Sequence, residues 1–173
     1  MGFSLYSATI PSNLQILGAL SGVIAKADAF CTERGLAPAA LIEARLAEDM
    51  HPFAYQVKSA AVHSAGAIEG VRSGAFSPDT SVPPDSFAGF QDLLAKARAT
   101  LEAIDPAEVD GLVGRDMAFV VGDRRIPFTA ENFLLSFSQP NFYFHATTAY
   151  AILRGKGVQI GKRDFLGQLR IAG

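Results

Sequence analysis

The stretch FLLSFSQPNFYFHATTAYAILRG, residues 133–155, decides the fold. Phe133, Leu134, Leu135, Phe137, Phe142, Tyr143, Phe144, Tyr150, Ile152 and Leu153 are spread nearly all round its helical wheel. A helix that is apolar on every side is normally enclosed by other helices. The segment is therefore expected to be the central helix of a helical domain, starting after Thr129 as N-cap and ending near Gly155. Pro140 falls inside it. A proline has no N–H to offer the carbonyl of Ser136, so a kink is predicted there.

Working outward, the chain supplies the helices that would surround it. From about Leu5 to Arg34, Leu14, Leu17, Leu20, Ile24, Ala27 and Cys31 follow steps of three and four and form one apolar stripe. Pro11 is expected to begin or kink this helix, and Gly35 to stop it. Cys31 completes the stripe and reads as a small core hydrophobe, because no cation on that face would lower its pKa. A short helix is expected over Pro38–Leu46. A second long helix runs from Pro52 to Gly74, with Phe53, Val57, Ala60, Ala67 and Val71 inward. After a proline-rich loop at 77–84, Phe87, Phe90, Leu94, Ala97, Leu101 and Ile104 repeat with heptad spacing. Asp105-Pro106 ends that helix. The β-prone runs 117–121 and 124–128 flank Gly122-Asp123 and predict a hairpin, with Pro127 toward an open edge. The tail from Gly161 to Gly173 is expected to pack over one end of the helices.

These elements give an all-α fold: an up-and-down four-helix bundle with a small β-hairpin before the last helix, in a single domain over residues 1–173. The hydrophobic fraction is 49% and only 18% of residues are charged, which excludes disorder. The formal net charge is −2, so no basic patch is available to neutralise a nucleic-acid backbone. No long uncharged apolar run and no basic leader segment stands out, which points to a cytoplasmic protein and away from the membrane. A lone cysteine permits no intramolecular disulfide.

Chemistry has few places to reside. The chain has three histidines, His51, His63 and His145, and no HExxH or phosphate-loop pattern. Asn141 and His145 are four apart on the central helix and share one face, which Thr148 and Ile152 continue. On the second long helix, Gln56 and His63 share a face. Asp49, just before that helix, is placed to cap it or to orient a histidine. His51 sits at the helix entrance and reads as a surface residue. Polar groups inside such a bundle must find partners. Gln56, His63, Asn141, His145, Thr148 and Asp49 are therefore either a hydrogen-bonded network that fixes helix register or a site for a small molecule.

Three segments, RLAEDM at 45–50, PNFYFH at 140–145 with TTAY at 147–150, and GKRDFLG at 161–167, resemble an uncharacterised bacterial family of the DinB-like helical-bundle superfamily. The resemblance spans the chain. It implies the same bundle, and a homodimer as the expected assembly. Many DinB-like proteins bind a divalent ion through one histidine on the second helix and an HxxxH pair on the last, and several are thiol-dependent transferases or isomerases. Here His145 matches the second histidine of that pair, Asn141 stands where the first would be, and Gln56 takes the position on helix two. Neutral amides are weak ligands for zinc or nickel. The resemblance thus leaves two readings: a metal-free interior cluster, structural or ligand-binding, or a divalent-metal enzyme with His145 as a ligand and His63 as a substitute on helix two.

Overall fold

The computed structural model describes residues 4–171. It is mostly helical with one small three-stranded sheet. Helix α1 spans Leu5–Arg34. Its first turn is closed by a capping box: the Ser7 N–H donates to Ser4 Oγ at 3.2 Å and the Ser4 N–H donates to Ser7 Oγ at 3.0 Å. Gly35 ends it in the left-handed conformation, φ 63°. Pro11 lies inside this helix and does not begin it. By length and apolarity α1 could cross a membrane, contrary to the sequence expectation, but nearly half of its most apolar window is buried against the other helices.

Helix α2 (Ala39–Ile42) is shorter than the 38–46 segment expected. The second long helix is α3 (Phe53–Ala61), a wide π-helical turn π1 (Val62–Gly66), and α4 (Ala67–Ser73). Helix α5 (Phe87–Glu102) follows, capped by Ser86 Oγ, which accepts the Gly89 N–H at 3.1 Å. Asp105-Pro106 starts a further short helix, α6 (Pro106–Asp110), with the Asp105 carboxylate accepting the Ala107 N–H at 2.8 Å. The last long run is α7 (Ala130–Asn132), a second π turn π2 (Phe133–Ser138) and α8 (Gln139–Gly155). Thr129 holds the N-cap position, but its hydroxyl makes no capping bond. Helix α9 (Lys162–Leu166) closes the chain.

The short helices and the two π turns take the helix inventory beyond the four expected. Helix α8 packs mainly on α3, and α1 on α5, with α3–α5 and α1–α8 contacts completing the ring. All six heptad positions from Phe87 to Ile104 are buried. Cys31 is buried as expected, and burial pushes its thiol pKa up, with the Asp28 carboxylate adding to the effect. The last helix is less enclosed than its composition implied: Leu135 and Phe144 face solvent. The tail also differs. It runs along the flank of α1, with Gln15 Nε2 donating to the Leu166 carbonyl at 2.8 Å and Lys26 bonded to Asp164 at 2.6 Å.

The hairpin forms from β2 (Asp116–Val121) and β3 (Arg124–Thr129), turning at Gly122 with φ 55°. Pro127 lies in edge strand β3, where a missing donor costs nothing. A third strand, β1 (Ala75–Phe76), pairs parallel with β2 and ties the end of α4 to the hairpin. Residue 70 must be glycine for this join, since a Cβ there would come within 2.9 Å of the Phe76 side chain. The sheet thus brings Phe76 and Phe119 against Phe133 and Phe137 of π2.

Candidate functional site

The proline in the last helix explains the local geometry of the site. An α-helical turn before Pro140 would press its ring on the carbonyl four residues back. The helix widens instead: the Gln139 N–H donates to the carbonyl of Leu134, five residues earlier. The kink expected at Ser136 is therefore a π turn. The π1 turn lies opposite, and Ser138 Oγ donates to the His63 carbonyl at 2.9 Å, joining the two turns. Such turns recur at functional sites because they displace side chains from the regular helical pattern.

Between them is a cavity of about 200 Å³. Tyr55, Phe76, Phe119 and Phe137 make its aromatic walls, and His63, Asn141 and His145 supply polar groups. His145 Nδ1 is 2.8 Å from Gln56 Oε1, and Gln56 Nε2 donates to the His51 carbonyl at 3.0 Å. The His145 and His63 rings lie nearly parallel, 17° apart, with centroids at 5.7 Å. Burial first, and then the neighbouring histidine (His145 for His63, His51 for His145), together lower both pKa values to about 4. Both imidazoles are neutral at pH 7.

Two residues of the sequence-derived set lie elsewhere. Thr148 is buried, and its hydroxyl donates to the Phe144 carbonyl of its own helix at 2.7 Å. Asp49 is exposed, and Pro52 occupies the N-cap of α3 with no side-chain bond, because the chain turns between Asp49 and the helix. Gln56 is buried behind His145 and touches the cavity only through it. The His51 ring is exposed and stacks on Tyr55 at 3.8 Å, so its carbonyl holds Gln56 while its ring covers a cavity wall.

One part of the site went unforeseen. Lys58 is almost fully buried, and its ammonium donates to the carbonyls of Asp79 and Ser81 at 2.8 and 2.6 Å, with the Asp79 carboxylate at 3.4 Å. Asp79 is itself folded into a turn, accepting the Ser81 N–H at 2.7 Å. This clamp pins the 77–84 loop over the cavity. The only signal in the sequence was a lysine set among the alanines of an inward helical face.

Residues 5–166 match the family model for a domain of unknown function, DUF1993. The chain belongs to this DUF1993 family. No curated protein matches it in sequence. A crystal structure described as a DinB family member protein from Shewanella denitrificans is similar, with a TM-score of 0.81 and 25% identity over 98% of this chain and 95% of that one. The DUF1993 chain therefore has a DinB-like fold.

The donor set can be weighed against the divalent ion expected from the DinB-like resemblance. Among the described residues no three His, Cys, Asp or Glu side chains gather around a point. Gln56 Oε1 and His145 Nδ1 are bonded to each other, and Asn141 Nδ2 donates to the Phe137 carbonyl at 2.7 Å. His145 Nε2 and the Asn141 oxygen stay unengaged, but even with His63 the set offers two imidazoles and a neutral amide, short of the three strong donors of a tetrahedral zinc or nickel centre. They fit a hydrogen-bonded cluster at the edge of a cavity.

Proposed function

We propose that this DUF1993 protein is a cytoplasmic small-molecule-binding protein, built on an up-and-down four-helix bundle, whose cavity works without a metal. The observation that carries the reading is the aromatic-walled cavity of about 200 Å³ between the π turns, with His145 and Asn141 in its lining. Ligand sites are typically apolar hollows with a few oriented polar groups. The volume suits a single small ring and is too small for a nucleotide. Nothing in the arrangement assigns a reaction.

The test uses untagged, chelator-treated protein and a set of small aromatic and heteroaromatic fragments, followed by NMR. Fragments should shift His63 and His145 without added metal. Val62→Phe, which pushes a ring into the cavity from a half-buried lining position, should abolish those shifts while the protein stays folded. Binding that appears only on adding zinc or nickel, or that survives Val62→Phe, would sink the proposal.

A further inference from the structure

The cavity has a hydrogen-bonding polarity that its hydrogen bonds determine. Gln56 has only one workable amide orientation. Its buried side chain touches the His51 carbonyl on one side, which can only accept, so the NH₂ must point there. The amide oxygen is then what meets His145 at 2.8 Å, and His145 Nδ1 must carry the proton. In a neutral imidazole that leaves Nε2 with a bare lone pair. Nε2 bonds no group among the described residues and is not shut away from solvent.

The neighbouring groups point the same way. Ser138 Oγ gives its only hydrogen to the His63 carbonyl at 2.9 Å, so across its 3.5 Å contact with His63 Nδ1 it can only accept. That weakly favours the Nδ1–H form of His63 as well. Asn141 gives one amide hydrogen to the Phe137 carbonyl, leaving its oxygen and its second N–H unengaged. The Lys58 ammonium, the one nearby cation, has its three hydrogens taken by the Asp79–Ser81 turn. The acceptors left to a ligand are His145 Nε2 and the Asn141 oxygen.

We infer that Gln56 is a positioning residue that holds His145 in its Nδ1–H tautomer, and that the bare Nε2 receives a small planar ligand bearing an N–H or O–H donor. The ligand class rests on the cavity being a binding site, as proposed above. The tautomer does not.

The experiment is ¹⁵N NMR of untagged protein labelled at histidine, which has only three such residues to assign. At pH 7, His145 should be the Nδ1–H tautomer. Gln56→Leu should convert it to a mixture containing Nε2–H. Gln56→Glu, which keeps an acceptor at Nδ1, should retain Nδ1–H and raise the His145 pKa; loss of packing would also raise the pKa but would release the tautomer. Pyrazole, which has an N–H, should bind roughly tenfold or more tightly than 1-methylpyrazole, the difference expected for one buried hydrogen bond. Nε2–H in the unliganded wild type, or equal binding of the two probes, overturns the inference. If neither probe binds while His145 is Nδ1–H, the cavity is not a site for this ligand class and only the positioning role of Gln56 survives.

Discussion

The two sides of this molecule are built on different principles. Where α1 meets α5, the helices are regular and capped, Phe90, Leu94 and Leu101 are wholly buried, and the polar contact of Ser21 with Gln91 is satisfied within the pair. Where α3 and π1 meet π2 and α8, both helices widen, a serine bridges the turns, and glutamine and two histidines occupy the contact. The first side exists to bury apolar surface. The second gives up two regular turns and keeps a hollow. A single sequence can hold a polar, imperfectly packed site because the opposite interface supplies the stability.

That contrast can be broken by mutation. The largest effect should come from Phe90→Ala. This ring is fully buried and meets Phe53 edge-on at 5.6 Å. Its removal should cost about 3–5 kcal/mol, read as a fall in the urea midpoint by circular dichroism, since the chain has no tryptophan to report unfolding. The His145 tautomer should be unchanged in the protein that remains folded. Disturbance of His145 by this substitution would mean that the two sides are not independent.

Acid should act on the other side. His63 and His145 are held near pKa 4 against 6.5 when free, so between these values the unfolded chain binds more protons than the folded one. Stability is therefore independent of these groups above about pH 6.5, and falls as pH drops toward 4, by up to about 3 kcal/mol per histidine. Lys58, Asp79 and the exposed His51 face the same region, and the Lys58 charge is paired with Asp79. Urea titrations across this range should show the loss, and His63→Phe should reduce it by roughly half. A flat profile would mean that the rings are solvated.

The smallest effect should come from Ser138→Ala, at about 1–2 kcal/mol for one buried hydrogen bond whose carbonyl partner is stranded. Its consequence for the site should exceed its effect on stability. The π turns lose their bridge, and the His63 signals should broaden or shift in NMR spectra while the urea midpoint falls far less than in Phe90→Ala. Unchanged His63 signals would separate the serine from the site.

The same contrast explains what the sequence could reveal. The heptad from Phe87 to Ile104 was legible because one regular helix face meets one apolar partner. The hairpin was legible from Gly122-Asp123. Pro140 marked the right place for a distortion but not its form, because a missing donor is compatible with a bend or with a widened turn. Nothing comparable marked π1. Strand β1 is two residues long and carries no periodicity. At the cavity, Asn141, His145 and His63, with Gln56 behind them, could be placed by helical spacing. Thr148 shares that spacing, yet its hydroxyl is taken by its own helix. The Lys58–Asp79 clamp joins a helix to a loop, and no local pattern encodes such a contact.

The central proposal is that hydrogen bonds among Gln56, His145 and His51 stand where the DinB-like resemblance leads one to expect a metal. Elemental analysis of protein made without a histidine tag or added metal tests it most directly. Zinc and nickel should be far below one equivalent, and unaffected by His145→Ala. Near-stoichiometric zinc or nickel in the wild type, lost in His145→Ala, would contradict it.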